Sequence, residues 1–242
     1  MQNHLQLEPN PAFHSAGRLL ARPGASIAAG SAGFHPLAIE HGRDGFLLVP
    51  DGYDPSHPVP LAVMLHGAGG SASQAVGLLR EMVNATGVIV LAPDSRLQTW
   101  DMLVGGWGPD VAFIDRALEQ VFSRYAIDSS RIAIGGFSDG ASYSLSLGLA
   151  NGDLFSHILA FSPGFAAPPS QSGEPLIYVS HGTKDAVLPI SSCSRRFVPI
   201  LTEAGYDITY HEFDGPHAVP PEIALEALTW FLEPTTTTRI SD

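Results

Sequence analysis

The chain has 242 residues, with 12 basic and 24 acidic side chains and a formal net charge of −12 at pH 7. Such an acidic surface repels nucleic-acid phosphates and anionic membranes, so we expect neither as a partner. The longest apolar runs have the length of strands and fall far short of the ~20 residues that a membrane helix needs. The single cysteine, Cys193, has no second cysteine with which to form a disulfide or a C-x-x-C site.

The N-terminal part of the chain is rich in Pro, Gly, Ala and Ser. We interpret residues 1–35 as a peripheral or lid-like arm, with at most a short edge strand at residues 17–21. The sequence does not begin with a basic stretch followed by an uninterrupted apolar run, which favours a cytoplasmic location. Residues 36–233 are predicted to form one domain, and residues 234–242 a polar, Thr-rich tail.

Within residues 36–233, apolar runs of strand length alternate with stretches of helical period. We predict strands at residues 45–50, 61–65, 87–92, 132–134, 157–161, 176–179 and 207–213. We predict helices at residues 73–86, 109–125, 191–204 and 221–232, and another that begins at residue 141. This alternation predicts an α/β fold with a mostly parallel, doubly wound sheet, whose ligands bind at the carboxyl ends of the strands. Only residues 162–175 separate two of the strands, which leaves no room there for a cap domain.

The sequence around Ser138 is typical of a nucleophile elbow. Gly136 and Gly140 flank the serine at the G-x-S-x-G spacing, because the turn is strained and leaves no space for neighbouring Cβ atoms. A chain with 25 glycines can contain this pentapeptide by chance, but the apolar strand before it and the helix after it are the context that an elbow requires. A helix that begins here also directs free N–H groups and its positive dipole end at an anion beside Ser138.

A nucleophilic serine needs a histidine base and a carboxylate that orients the base, and an elbow of this kind requires the chain order serine, acid, histidine. Asp185 follows the predicted strand at residues 176–179 and lies 47 residues after Ser138. His217 follows the last predicted strand and lies 79 residues after Ser138. With ten histidines in the chain, an ordinary loop histidine is the alternative interpretation of His217.

Other acids and histidines near the strand ends fit these roles less well. Asp214 is too near His217 in sequence, and Asp207 is expected to begin a strand. His181 precedes the acid and would break the required chain order, so we assign it to packing. His66 could act as a base, but we expect it to brace the loop that follows its strand by hydrogen bonds.

An acyl-transfer site needs two N–H donors for the tetrahedral oxyanion, one after the nucleophile and one after an early strand. Asp139 and Ala68 are the candidate donors, through their backbone. Gly67, Gly69 and Gly70 would let the backbone approach the substrate closely; a flexible surface turn is the alternative. Phosphate binding is disfavoured, since neither G-x-G-x-x-G nor a P-loop lysine is present, and no H-E-x-x-H spacing indicates a metal. We therefore expect neither a metal nor another cofactor.

The predicted loop at residues 95–108 has turn residues and no convincing period. It contains Trp100, Met102 and Trp107, which are candidate walls of a pocket for an apolar or aromatic acyl or alcohol group. Packing of the loop itself is the alternative role for these three side chains.

Four motifs in the chain resemble those of a known superfamily. They are Leu65–Gly70, Gly136–Gly140, His181–Asp185 and Gly215–His217. On these motifs, the chain from about residue 45 to residue 232 resembles the α/β-hydrolase superfamily. It looks most like the phospholipase/carboxylesterase family, with poly(3-hydroxybutyrate) depolymerase-like and feruloyl-esterase-like proteins close behind. The resemblance implies a Ser138, Asp185, His217 triad and hydrolysis of carboxylic esters without a metal.

That family commonly has a glutamine after the nucleophile and a leucine in the oxyanion loop, where this chain has Asp139 and Ala68. The backbone N–H donors are retained despite both changes, so ester hydrolysis remains the expected chemistry. The two departures from the family pattern disfavour a long-chain deacylase. We predict a serine carboxylesterase that forms an acyl-enzyme on Ser138 and acts on a small-molecule ester. Acyl-protein or acyl-CoA thioesters, polyesters, feruloyl esters and peptides are alternative substrates. The alternative that is not an enzyme is a binding protein on an inactive scaffold.

Overall fold

Continuous apolar runs form strands that are covered on both faces, as is usual in parallel sheets. The computed structural model describes residues 11–24 and 30–234. Its strands are β1 Gly33–Pro36, β2 Gly45–Val49, β3 Val59–Leu65, β4 Ile89–Pro93, β5 Ile127–Phe137, β6 His157–Phe161, β7 Leu176–Gly182 and β8 Ile208–Phe213. Each strand predicted between residues 45 and 213 is present, with shifts at the ends.

The strands form one sheet in the order β1-β2-β4-β3-β5-β6-β7-β8. The strands from β3 to β8 pair in parallel, whereas β2 pairs antiparallel with both β1 and β4. The mostly parallel sheet is therefore confirmed. The sequence does not predict β1, because its four residues contain no apolar run. The edge strand expected at residues 17–21 is irregular chain in the structure.

Two layers of helices cover the sheet. The helices are α1 Pro11–His14, α2 Ala72–Gly77, α3 Val83–Thr86, α4 Asp101–Val104, α5 Pro109–Arg124, α6 Asp139–Ala150, α7 Ser194–Glu203 and α8 Pro221–Leu232. Side chains of α5, α6 and α7 pack on one face of the sheet with Val63 and Ile134. Side chains of α2, α3 and α8 pack on the other face with Met64 and Ala133. Because successive strand residues point to opposite faces, each strand serves both cores, and the sheet is doubly wound.

The helix predicted at residues 73–86 is interrupted. α2 ends at Gly77, a 3₁₀ turn covers Arg80–Met82, and α3 ends before Gly87, whose φ of 72° is left-handed. Glycine destabilises a helix interior because its backbone loses more conformational freedom than that of other residues. The spacing of apolar residues predicts one long helix because it does not take account of the glycines that interrupt it.

The N-terminal segment at residues 11–24 is anchored to the core through Leu19. Leu19 is fully buried, and its N–H donates to the side-chain oxygen of Asn151 over 2.9 Å. The N–H groups of Leu20 and Ala21 both donate to Oδ1 of Asp115, each over 2.8 Å. The prediction of a peripheral or lid-like arm is wrong around Leu19, because partners about 95 to 130 positions away satisfy its backbone. Residues 33–35 belong to β1, which lies at the edge of the sheet.

Parts of the predicted arm and tail, at residues 1–10, 25–29 and 235–242, lie outside the described residues. No helix within the described ranges is both long enough and apolar enough to cross a membrane. The connection from β6 to β7 covers residues 162–175 and contains no helix or strand, so no cap domain is inserted there.

Candidate active site

Ser138 lies on a sharp turn between β5 and α6. Its φ of 58° and ψ of −119° fall in a region that side-chain-bearing residues rarely adopt. A Cβ atom on Gly136 would lie 2.6 Å from the carbonyl oxygen of Leu65, and one on Gly140 would overlap the same oxygen. The two glycines are therefore required by the close approach of β3, and the serine is held in a strained elbow.

Ser138, His217 and Asp185 form one chain of hydrogen bonds. The Ser138 Oγ lies 2.9 Å from His217 Nε2, and His217 Nδ1 lies 2.6 Å from Asp185 Oδ2. The carboxylate accepts from Nδ1–H, which leaves Nε2 free to accept the serine proton. The Asp185 side chain is fully buried, whereas the His217 side chain keeps 13% of its surface exposed. The structure thus brings together the three side chains that the sequence predicts.

The loop after β7 fixes the carboxylate of Asp185. Its Oδ1 accepts hydrogen bonds from the N–H groups of Val187 and Leu188, over 2.9 and 2.7 Å. Burial by itself would raise the pKa of Asp185, but the bonds from Leu188, His217 and Val187 outweigh it and hold that pKa below its ordinary value. Asp185 is therefore ionised wherever His217 needs a counter-charge.

The acids that compete with Asp185 in the sequence have other surroundings. Asp214 is exposed and pairs with Lys184, 2.7 Å away. Asp207 immediately precedes β8, where its carbonyl oxygen accepts from the N–H of Ile177 over 3.0 Å. Neither carboxylate has a hydrogen bond to His217 among the described residues.

The loop after β3 approaches the serine closely. A Cβ atom on Gly67 would lie 3.3 Å from the Cβ of Ser138. The loop is held by the N–H of Gly69, which donates to the carbonyl oxygen of Gln98 over 2.7 Å. Within residues 11–24 and 30–234, the N–H groups of Ala68 and Asp139 have no hydrogen-bond partner. These are the two groups that the sequence predicts as oxyanion donors.

His66 stabilises this loop, as the sequence predicts. The imidazole is buried; its Nδ1–H donates to the carbonyl oxygen of Gly67 over 2.7 Å, and its Nε2 accepts from the N–H of Ser95 over 3.0 Å. Burial lowers the pKa of His66. A neutral imidazole with one donor and one acceptor satisfies both contacts, so His66 braces the loop and is not placed as a base.

The carboxylate of Asp139 accepts a hydrogen bond from the Thr99 hydroxyl over 2.6 Å. This contact joins the first residue of α6 to the loop at residues 95–108. An acidic side chain in the first turn of a helix also interacts favourably with the positive end of the helix dipole. The side chain is thus engaged by the neighbouring loop, while the backbone N–H of Asp139 stays free.

The expectation that Trp100 lines a substrate pocket is wrong. Its side chain is fully buried, its Nε1–H donates to the carbonyl oxygen of His66 over 2.9 Å, and its ring stacks on Tyr143 at 5.1 Å. Trp107 is partly exposed but also packs on Tyr143, at 5.0 Å, and Met102 packs against the same core. Large apolar side chains gain most by leaving water, so packing is the role that the structure assigns to Trp100.

Two buried carboxylates hold this loop. The N–H of Asp101 donates to Asp110 over 2.6 Å, and the N–H of Asp110 donates to Asp101 over 2.8 Å. Tyr143 donates its hydroxyl proton to Asp101 over 3.0 Å. Burial raises the pKa of Asp110 to about 6. The sequence places Asp110 near the start of a predicted helix and Asp101 inside the predicted loop, but the reciprocal bonds depend on a loop geometry that it does not specify.

A cavity of about 270 Å³ lies beside the oxyanion loop. Its lining includes Ala68 and three apolar side chains, Ala75, Leu78 and Phe137. The ring of Phe137 lies 4.6 Å from the imidazole of His217, between ring centres. Sequence reasoning missed this pocket, although the position of Phe137 directly before Ser138 is a signal that could have indicated it.

The chain was compared with known families and proteins. The sequence model of the phospholipase/carboxylesterase family matches residues 111–235, which is just over half of the 242 residues. The chain belongs to this family. The matched range contains the hydrogen-bonded serine, aspartate and histidine but not the oxyanion loop after β3.

Two curated relatives have names that refer to feruloyl esters. Feruloyl esterase C of Emericella nidulans is 34% identical over 164 residues, which cover 62% of this chain and 57% of the relative. A protein named probable feruloyl esterase C, from Aspergillus niger, is 33% identical over 175 residues, which cover 65% of this chain and 62% of the relative. The chain therefore spans about three fifths of the length of the curated relatives it matches.

Solved structures of several esterases share the fold. The esterase Est2 of Thermogutta terrifontis has a TM-score of 0.65 at 18% identity, covering 90% of this chain and 95% of its own. The fluorophosphonate-binding serine hydrolase FphF of Staphylococcus aureus has a TM-score of 0.67 at 14% identity, and the match covers 85% of this chain and 100% of FphF. The ferulic acid esterase AmCE1/Fae1A of Anaeromyces mucronatus has a TM-score of 0.53 at 21% identity, and the match covers 75% of this chain and 81% of that esterase. These similarities show that the chain has the α/β-hydrolase fold.

Proposed function

We propose that this protein is a serine carboxylesterase whose catalytic residues are Ser138, His217 and Asp185. The observation that carries the proposal is the hydrogen-bonded chain from the Ser138 hydroxyl through His217 to Asp185, with links of 2.9 and 2.6 Å. These side chains stand in the order and geometry that acyl transfer to a serine requires. The proposal that the scaffold is inactive has no comparable support, since each member of the triad is present.

In the proposed reaction, His217 removes the proton of Ser138 as the serine Oγ attacks the acyl carbon of the ester. The tetrahedral oxyanion accepts hydrogen bonds from the N–H groups of Ala68 and Asp139, each of which contributes about 3 kcal/mol to the transition state. His217 then gives its proton to the departing alcohol, which leaves an acyl group on Ser138. Water hydrolyses this acyl-enzyme by the same steps, and Asp185 stabilises the imidazolium that forms each time.

We propose a hydroxycinnamoyl ester, such as a ferulate, as the preferred class of substrate. Both curated relatives described above are named for feruloyl esters. The cavity beside the oxyanion loop offers Ala75, Leu78 and Phe137 as apolar walls for an aromatic acyl group. In this proposal the acyl group binds in the cavity beside Ala68 and Phe137, and not against Trp100, Met102 and Trp107, the walls that the sequence suggests.

A panel of esters with the same alcohol tests this proposal. We expect kcat/KM for methyl ferulate to exceed that for methyl butyrate by about tenfold or more, because an aryl group buries more apolar surface in the cavity. Butyryl-CoA and a dispersed polyester serve as thioester and polymer comparisons. Ser138→Ala should abolish turnover of every substrate.

Leu78→Ala should reduce the preference for methyl ferulate, and Leu225→Ala is its matched control, because Leu225 lies on α8 with half of its surface exposed. A preference for methyl butyrate would contradict the hydroxycinnamoyl assignment and leave the esterase intact. Failure of all esters, together with failure of a fluorophosphonate to label Ser138, would contradict the serine carboxylesterase itself.

Two further parts of the proposal depend on the sequence rather than on the site. The net charge of −12 favours a small-molecule substrate over nucleic acid or an anionic membrane. A cytoplasmic location is the second part of the proposal. Cell fractionation of the full-length protein tests the location, and recovery outside the cytoplasm would contradict it.

A further inference from the structure

Asp185 has a second histidine partner. His181 Nε2 lies 3.2 Å from Asp185 Oδ2 and 2.8 Å from the carbonyl oxygen of Leu188. On the other side of the ring, His181 Nδ1 lies 2.6 Å from the Oγ of Ser194. Two serine–histidine pairs therefore meet at one carboxylate, Ser138 with His217 and Ser194 with His181.

The contacts of His181 define its protonation. Its Nε2 faces a carbonyl oxygen and a carboxylate oxygen, neither of which carries a proton, so the proton is on Nε2; it donates to Leu188 over 2.8 Å and is directed toward Asp185 Oδ2, 3.2 Å away. Burial lowers the pKa of His181, which keeps the ring neutral. A neutral ring with a proton on Nε2 has an acceptor at Nδ1, and the Ser194 hydroxyl donates to it. This tautomer is the opposite of that of His217, whose Nδ1 faces Asp185.

His181 has no route to a substrate. Its side chain and Ser194 are fully buried, whereas His217 keeps part of its surface exposed. Any effect of His181 on an ester must therefore pass through Asp185. Among the described residues, the carboxylate accepts from two N–H groups on Oδ1 and from His217 on Oδ2, and Oδ2 also faces His181 Nε2 at 3.2 Å.

We propose that His181 is a positioning residue for the reaction: its Nε2–H, oriented by Ser194, fixes the carboxylate of Asp185 and limits the negative charge that Oδ2 presents to His217. This inference rests on the proposed esterase function for its kinetic test. It assigns a role to the histidine that chain order alone assigns to packing.

The charge balance predicts the effect of removing this donor. An oxygen with one donor fewer holds more negative charge and stabilises the protonated form of His217 more strongly. The pH at which activity is half lost on the acid side should therefore rise, because protonated imidazole cannot act as a base. The rate at the plateau should also fall, because the carboxylate is less well oriented.

Other titratable groups near this cluster do not change charge in the same pH range. Glu212 on β8 lies opposite His181 in the sheet register, and its bond to Arg195 lowers the pKa of the carboxyl. Cys193, directly before α7, has its pKa raised by burial. The exposed pair of Lys184 and Asp214 lies in the loops beside Asp185 and His217, and the bond to Lys184 lowers the pKa of Asp214. These groups therefore do not set the acid limb of activity.

Two variants with different hydrogen-bonding capacity test the proposal. His181→Leu removes the donor, and His181→Gln can keep an amide N–H near the position of Nε2. For His181→Leu we expect kcat/KM on a carboxylic ester to fall about tenfold and the acid midpoint to rise by about half a pH unit. For His181→Gln we expect both values to stay near those of the wild type. Equal losses in both variants with an unchanged midpoint would overturn the proposal, since mere packing would produce that result.

A measurement on the unaltered protein avoids any folding defect in the variants. The ¹⁵N chemical shifts of the His181 ring distinguish the two neutral tautomers, and we expect the Nε2–H form from pH 6 to 8. A proton on Nδ1 would overturn the proposal, because Nε2 could not then donate to Asp185. If the wild-type protein hydrolyses no ester, the proposed function fails, and the tautomer still decides the inference about His181.

Discussion

His217 and His181 offer a comparison within one molecule. Each imidazole contacts Asp185 on one side and a serine hydroxyl on the other. For His217 these distances are 2.6 and 2.9 Å, and for His181 they are 3.2 and 2.6 Å. They differ in exposure and in which ring nitrogen faces the carboxylate. His217 reaches the surface through Nε2 and Ser138, whereas His181 is enclosed. The difference teaches that the chemical composition of a triad does not make a catalytic centre; access for the acyl carbon and nearby oxyanion donors are also needed.

The largest expected difference between the two pairs concerns their serines. Ser138→Ala should reduce kcat by about 10⁴-fold or more, because it removes the nucleophile. Ser194→Ala should reduce it less than tenfold, since it removes one hydrogen bond to a residue that acts through another. Steady-state hydrolysis of one ester measures both.

Labelling with a fluorophosphonate followed by peptide mapping provides the control. The label should appear on Ser138 in the wild type and in Ser194→Ala, and on neither serine in Ser138→Ala. A label on Ser194 would contradict the distinction drawn from burial.

The shared carboxylate gives the next largest effect. Asp185→Asn should lower kcat by about 10³- to 10⁴-fold, because a neutral amide cannot stabilise the imidazolium and favours the wrong tautomer of His217. It also leaves His181 without its charged acceptor. Asp214→Asn is the matched control on a neighbouring loop, where the carboxylate is exposed. We expect its kcat within about twofold of the wild type, and a comparable loss in both variants would contradict the assignment of the acid.

The buried histidine His157 sharpens the comparison, because it has no carboxylate partner among the described residues. His157 packs edge-on against Trp230 and Phe231, and its Nδ1 lies 2.8 Å from the hydroxyl of Ser156. Burial lowers the pKa of His157 to about 4, below the 6.5 of an exposed histidine. A depressed pKa adds stability above pH 6.5 that is lost as the pH falls toward 4.

His157→Gln should remove this dependence. Between pH 7 and pH 5, the free energy of unfolding should fall by about 2 kcal/mol less in the variant than in the wild type. Urea denaturation at several pH values measures the difference. His41→Gln, at an exposed position, is the control and should show the wild-type slope. Equal slopes in His157→Gln and the wild type would contradict the effect of burial.

The sequence alone determined strands β2 to β8 and the order of the candidate catalytic residues. Apolar runs of strand length specify a covered sheet, and Ser138, Asp185 and His217 each follow such a run at the same edge. The two N–H groups that we propose as oxyanion donors could also be selected from the sequence, because they depend on the backbone directly after a strand. All of these are local patterns, readable within a few residues of each position.

Only the tertiary structure decided which side chains are enclosed and which partners they meet. It buried Trp100, placed Leu19 of the N-terminal segment in the core, and formed the pocket at Phe137. It also gave His181 the same carboxylate as His217, although the two histidines are 36 positions apart. Burial and the sharing of one acceptor are properties of surfaces brought together by folding, and no local period of the sequence encodes them.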